Sequence, residues 1–276
     1  METPTSAASQ IAVAALHDKA PHAIELAQQF RSAGFKLALV GGSVRDILLN
    51  RLGNDLDFTT DARPDVTKSI LKKWGDEVWE VGARFGTIAA KKADLLFEIT
   101  TYRSETYLED SRKPRVEFGS RIEDDLYRRD FTVNAMAIEL TTDTPTFIDP
   151  YDGVRDLLLK VLRTPGTPEL SFGDDPLRML RAARFAAQLG FSIEPSVLAA
   201  MRVMADRLDI ISAERVRDEF TKILMSNNPR TGITILVDTG LAELVLPEIP
   251  KLRLEVDEHH HHKDVYEHSI LSLIHI

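Results

Sequence analysis

The stretch "LVGGSVRDILLNRLGNDLDF" (residues 39–58) decides how this chain is read. An apolar run reaches Gly41 and Gly42, "SVRDILLNRL" then carries helical spacing, and "DLDF" alternates acid with apolar. A strand that runs through glycines into a helix leaves backbone N–H groups free at the helix N-terminus, a ready anion site. Ser43 adds a hydroxyl donor, and Arg45 is able to clamp phosphate oxygens with two donors. In an extended strand residues two apart share a face, so Asp55 and Asp57 point one way while Leu56 and Phe58 enter a core. Two carboxylates so close repel each other, and a divalent cation relieves the repulsion. Oxygen ligands favour Mg²⁺, which takes few protein carboxylates and leaves positions for water and phosphate. Alone, each feature also reads as a tight turn with solvated side chains. Together, and in this order, they point to a phosphate cradle followed by a metal-binding strand.

Outward from this stretch, short strands and helices alternate. "IAVAALHDKAPHAIELAQQFRSAG" reads as helical up to Gly34 after a floppy start "METPTSAASQ", and "FKLALV" is a strand. "PDVTKSILKKW" is a helix opened by Pro64, "EVWEVG" is strand-like, and "GTIAAKKADLLFEITTYR" reads as a two-stranded hairpin. The order β-α-β-α-β-β predicts a mixed sheet with helices on one side. From Ser104 to Asp125 charge and turn residues dominate, which predicts a mobile loop entering a short helix. "NAMAIEL", "PTFIDP" and "KVLRTP" return as strands around the helical "GVRDLL", and four helices follow Pro176.

The expected fold is thus α/β plus all-α: a small mixed-sheet head followed by a helical neck and body. Its expected parts are an N-terminal extension and helix (1–34), a head (35–165), a helical neck (166–250) and a final segment (251–276).

Composition is that of a globular protein, with 276 residues, 43% hydrophobic and 28% charged. With Cys 0, no disulfide framework or cysteine-held zinc is possible. No run is long and apolar enough for a membrane span and no signal pattern opens the chain, so a cytoplasmic location is expected, without membrane contact. A net charge of −9 argues against indiscriminate coating of nucleic acid, although arginines crowd the stretch from Arg178 to Arg217. No feature calls for an obligate protein partner.

"LVGGSVRDILLNRLGNDLDF" resembles the head motif of the class II tRNA nucleotidyltransferase and bacterial poly(A) polymerase family, within the polymerase β-like nucleotidyltransferases. "RRDFTVNAMA" (128–137) is similar to the family's second motif, and "DDPLRMLRAARF" (174–185) to its nucleotide-selecting motif. "YDGVRDLLLKVLRTP" and "ISAERVRDEFTKIL" match the intervening and neck segments, so that the likeness covers residues 35–250. The resemblance implies addition of CMP and AMP from CTP and ATP to the 3′ end of tRNA, with Mg²⁺ as cofactor. Asp55 and Asp57 would be the catalytic metal ligands. Gly42, Arg45 and Arg129 would hold the triphosphate, with Asp130 and Asn134 orienting it, touching the ribose or capping a helix.

In the third motif Asp175, Arg178, Arg181 and Arg184 form one slowly drifting helical stripe, which reads equally as a solvated basic face. As a base reader, Asp175 would accept from an exocyclic amine while Arg178 donates to the neighbouring ring nitrogen. Cytosine and adenine offer that pair of groups, whereas uracil and guanine present a carbonyl beside an N–H. Arg181 and Arg184 would continue the stripe towards the nucleotide or the RNA end. The family usually opens this motif with Glu-Asp, and this chain has Asp174-Asp175.

Glu98, on the alternating "LLFEITTYR", is a candidate third metal-site carboxylate. Near the end, His268 in "VYEHSI" stands where an HD-type domain would supply its first metal ligand, but the later His-Asp pair is missing, so that domain is expected to be truncated. The four histidines His259–His262 suggest a tag, but tags are usually longer and terminal, and "LSLIHI" (271–276) reads as a translated sequencing adapter, expected to be non-native. Poly(A) polymerase shares all of these motifs and is the alternative activity. A non-catalytic RNA-binding relative and an HD phosphohydrolase are more distant ones.

Overall fold

The computed structural model describes residues 4–81, 86–106, 115–119 and 121–252. Contacts divide the chain into two compact units, Met1–Leu158 and Leu159–Ile276.

The first unit opens with helices α1 (Pro4–Lys19) and α2 (Pro21–Ser32). The expected floppy start is therefore helical from Pro4, and the single helix expected up to Gly34 is broken at Ala20. Pro21 is the reason: it has no N–H to continue α1, yet its fixed φ suits the first turn of a new helix. Strand β1 (Leu37–Val40), helix α3 (Gly42–Leu48), strand β2 (Asp55–Thr60) and helix α4 (Pro64–Trp74) follow as read from the sequence. Then come β3 (Glu77–Glu80), β4 (Thr87–Lys92) and β5 (Leu95–Thr101), the last two being the expected hairpin.

Of the loop expected from Ser104 to Asp125, residues 107–114 and 120 lie outside the described residues, and the described parts include two strands. Strands β6 (Arg103–Thr106) and β7 (Arg115–Phe118) pair antiparallel there, Arg103 opposite Phe118. A two-stranded ribbon needs no apolar alternation, because its register can be set by backbone bonds alone. The short helix expected after it is α5 (Ile122–Tyr127). A 3-10 turn (Thr132–Asn134), β8 (Ala137–Glu139), β9 (Thr146–Ile148) and α6 (Gly153–Leu159) complete this part of the chain.

Seven strands form one mixed sheet in the order β3-β4-β5-β2-β1-β8-β9. Strands β2 and β5 run parallel, and their neighbours are antiparallel. Alternation along β1 and β2 assigns the two faces. Leu37, Leu39, Leu56 and Phe58 are essentially fully buried in a core shared with Leu16, Leu26 and Phe30 of α1 and α2, Val44 and Ile47 of α3, and Leu71 of α4. Phe97 of β5 joins it, stacked on Phe58 at 5.7 Å between ring centroids and meeting Trp74 edge-on at 4.9 Å. Each such side chain contributes roughly 1.5–3 kcal/mol by leaving water. The other face carries a smaller cluster of Ala38, Val40, Tyr102, Ile122 and Leu126. Helices on one side were expected: α1–α4 share that face, but α5 supplies Ile122 and Leu126 to the other.

The second unit is helical. After β10 (Val161–Leu162) come α7 (Pro168–Asp174), α8 (Leu177–Leu189), β11 (Ser192–Ile193), α9 (Pro195–Met204), a 3-10 segment (Ala205–Ile210) and α10 (Ala213–Leu224). Helices α11 (Pro229–Asp238), α12 (Leu241–Val245) and α13 (Glu248–Lys251) close the described chain. Strands β10 and β11 pair in parallel across α7 and α8. Proline stands in the first turn of α7, α9 and α11, while Gly190 (φ 67°) ends α8 in the left-handed region. Close helix packing is visible at Gly232 of α11, where a Cβ would lie 2.5 Å from Ile223 Cγ2 and 3.3 Å from Ala187 Cβ. Among the described residues no helix is long and apolar enough to cross a membrane.

Candidate active site

The acids of β2 stand as the alternation requires. Asp55 and Asp57 are exposed, while Leu56 and Phe58 lie in the core. The antiparallel pairing of Leu39 with Phe58 and Ala38 with Thr59 puts Asp57 on the sheet face opposite α1–α4. On the parallel neighbour β5, Glu98 is the register partner of Asp57 and shares its face, with Phe97 and Ile99 buried on the other. Burial raises the Glu98 pKa above the ordinary glutamate value, and the charges of Asp57 and Asp55 raise it further. Three carboxylates thus crowd one open face. Among the described residues no group of three acids or histidines closes into a metal cage. An ion that keeps water and phosphate among its ligands needs no cage.

The backbone N–H of Asp57 reaches across to the start of α3. The buried Ser43 hydroxyl accepts from it at 3.0 Å. Ser43, expected as an anion donor, therefore also ties the start of α3 to the acidic strand.

The glycine turn has two distinct members. Gly41 has φ 70°, and a Cβ there would run into the Arg129 guanidinium. Gly42 is the first residue of α3, and a Cβ there would sit 3.4 Å from Arg45 Nη2. The sequence pointed to Gly42, but Gly41 is the position that only glycine fills without strain. Arg129 donates from Nη2 to Asp125 Oδ2 at 3.3 Å, and its Nε is buried without a hydrogen-bond partner among the described residues. An orphaned guanidinium donor beside a helix start suits a phosphate oxygen.

Arg45, expected at the triphosphate, donates from Nε and Nη2 to Asp46, both at 2.9 Å, and from Nη1 to Asn134 Oδ1 at 2.6 Å. Asn134 in turn donates to Asp130 Oδ1 at 2.9 Å, which also accepts from the Phe131 N–H. At 7% exposure, Arg45 braces α3 against the 3-10 turn after Arg129. The reason is proximity: the carboxylate of the next residue matches the guanidinium fork.

In the second unit, Asp175 lies between α7 and α8 in extended conformation, and its Oδ1 caps the Leu177 N–H at 3.2 Å. Its Oδ2 accepts from Arg215 Nη2 of α10 at 2.9 Å. Arg178 Nη1 donates to Ser171 Oγ at 2.9 Å and to the Ser171 carbonyl at 3.2 Å. Further along the stripe, Arg181 and Arg184 both lie over the Phe185 ring, the latter at 4.4 Å. Arg184 also pairs with the buried Glu219 of α10 at 3.0 Å, which gives it a place in helix packing. Ser171 and Arg215 were not among the sequence candidates, and Arg215 lies 40 residues from the acid that it holds. His259–His262, His268 and residues 271–276 lie outside the described residues.

A mixed sheet with paired acids on one strand, a glycine-led helix start beside it and a helical unit after it define the class: a polymerase β-like nucleotidyltransferase fold. Comparison with known proteins agrees. Residues 37–163 match the poly A polymerase head domain, and 190–252 match the probable RNA and SrmB-binding site of polymerase A. The CCA-adding enzyme of Enterococcus faecalis is 39% identical over 227 residues, 82% of this chain and 53% of that protein. That of Levilactobacillus brevis is 41% identical over 215 residues, covering 78% and 52%. The solved Bacillus stearothermophilus CCA-adding enzyme in complex with CTP superposes with TM-score 0.69 at 35% identity, over 79% of this chain and 52% of that one. A tRNA nucleotidyltransferase complexed with a primer tRNA and an incoming ATP analog gives TM-score 0.68 at 28% identity, over 90% and 74%. The chain belongs to the CCA-adding tRNA nucleotidyltransferase and bacterial poly(A) polymerase family. It spans about half the length of the curated relatives that it matches.

Proposed function

We propose that this protein adds CMP and AMP, from CTP and ATP, to the 3′ end of tRNA in the cytoplasm. The observation that carries the reading is the three-carboxylate face of β2 and β5 on a chain 39% identical to a CCA-adding enzyme. Asp55 and Asp57 fit a divalent cation as the ligands, with Glu98 beside Asp57 as a third. Bound Mg²⁺ would supply the charge that makes the primer 3′-hydroxyl a nucleophile and neutralises the triphosphate.

The chain's own residues do the rest. The N–H groups at Gly42 and the Arg129 guanidinium hold the triphosphate, and Asp125 keeps Arg129 aimed. Arg45, through Asp46 and Asn134, fixes the turn on which that grip depends. Asp175 accepts from the exocyclic amine of cytosine or adenine and Arg178 donates to the adjacent ring nitrogen. Uracil and guanine would leave both groups unpaired, which discriminates by about 10⁴ in favourable sites. Arg181 and Arg184 continue the stripe towards the nucleotide or the RNA end, Arg184 also pairing with Glu219. The helical unit would grip tRNA by shape and backbone, because every tRNA must be accepted.

The match to a poly A polymerase head supports a second reading, AMP addition alone. The test compares labelled CTP incorporation into tRNA lacking its 3′ CCA by the wild-type chain and by Asp57→Ala. Incorporation should fall to background in the variant. Undiminished incorporation would refute the metal-site assignment, and incorporation of ATP but never of CTP by the wild type would favour poly(A) synthesis.

A further inference from the structure

The carboxylate proposed to read the base is not free to turn. Asp175 sits in extended backbone (φ −144°, ψ 99°) between two helices. Two hydrogen bonds hold its side chain. The Leu177 N–H takes Oδ1 at 3.2 Å, and Arg215 Nη2 takes Oδ2 at 2.9 Å. The first is a local cap that any aspartate at this position would make. The second comes from α10, a separate helix, and fixes the plane of the carboxylate about its last rotatable bond. Each carboxylate oxygen keeps a second acceptor site, so a base amine can still be received.

We infer that Arg215 is a specificity-determining positioning residue: it holds Asp175 Oδ2 so that its remaining lone pair meets the exocyclic amine of cytosine or adenine and opposes a carbonyl at the same place. This rests on the reading of Asp175 as the base acceptor. Discrimination between an amine and a carbonyl depends on the acceptor being unable to move aside. A carboxylate held only by its cap can rotate away from the carbonyl oxygen of uracil or guanine, let a water bridge the two, and so relieve the repulsion that rejects them. The loss falls on selection rather than on binding as such.

Stability should hardly change. The Arg215 side chain is 52% exposed and that of Asp175 29%, and pairs of that kind add little to folding. A merely structural role for Arg215 would therefore appear in the unfolding midpoint and not in the choice of base. Arg215→Lys keeps the charge but loses the planar fork, so it should recover part of the selectivity.

The experiment measures equilibrium binding of CTP and UTP, with Mg²⁺ present, to the 276-residue chain and to Arg215→Ala, Arg215→Lys and Asp175→Ala, alongside thermal midpoints. The expected result is a CTP-over-UTP preference that drops on the order of tenfold in Arg215→Ala, chiefly because UTP binds better. Arg215→Lys should lie between, and the midpoint should stay within about 2 °C of wild type. An unchanged preference in Arg215→Ala, with preference lost in Asp175→Ala, would overturn this inference alone. A preference that survives Asp175→Ala, or a wild-type chain that does not prefer CTP, would overturn the base-reading assignment and this inference with it. A fall in midpoint of many degrees with the preference intact would make Arg215 a structural residue and overturn the inference as well.

Discussion

At the scale of single residues, two adjacent glycines carry unequal demands. Gly41 at φ 70° leaves the region open to other residues, and the Arg129 guanidinium fills the space where its Cβ would be. Gly42 is helical and has room for a methyl group at the edge of van der Waals contact with Arg45. Gly41→Ala should therefore cost about 1–3 kcal/mol of stability through backbone strain. It should also cut nucleotide transfer on the order of 10²-fold, since Arg129 must move. Gly42→Ala should cost less than about 1 kcal/mol, because alanine favours a helix. Urea unfolding and labelled CTP incorporation read the two effects. Equal damage from both substitutions would contradict this division. The sequence showed that the turn needs glycine but not which glycine. That distinction depends on Arg129, which is 88 positions beyond Gly41 and meets it only in the folded sheet.

At the scale of elements, the parallel pairing of β2 with β5 creates the acidic face. In this fold Glu98 keeps its proton to higher pH than in the unfolded chain, because burial and then Asp57 and Asp55 oppose its charge. Its favourable contribution is thus fully present below the ordinary glutamate pKa and is lost as pH rises through the folded value. Without divalent ions, Glu98→Gln should unfold at a higher temperature than wild type at pH 7, by about 1–2 °C for a half-buried group. That gap should close near pH 4, and Mg²⁺ should stabilise the wild type more than the variant. A gap independent of pH would contradict the crowding of these carboxylates.

Most of this layer was legible. The alternation in "DLDF" and "LLFEITT" placed Asp55, Asp57 and Glu98 away from the core, and the proline-opened helices began where expected. Three features escaped. The break at Pro21 interrupts a pattern that remains apolar on both sides, so periodicity alone runs through it. The ribbon of β6 and β7 is held by cross-strand backbone bonds that leave no apolar signature. The partners of the base-reading pair, Ser171 and Arg215, come from separate helices, and neither has a spacing that marks it.

At the scale of the whole molecule, the chain carries a net charge of −9, so affinity for RNA must come from local cations rather than from the overall field. The two units divide the labour proposed here: carboxylates and phosphate grip in the first, base choice in the second. Selecting cytosine and adenine without a nucleic-acid template is the central claim, and the order of incorporation tests it most directly. The 276-residue chain should be incubated with Mg²⁺, all four nucleoside triphosphates and tRNA that ends at the base before CCA, and the extended 3′ ends sequenced. The expected product is tRNA extended by C, then C, then A, and no further. Runs of A without C, or ends that include U and G as often as C and A, would contradict it.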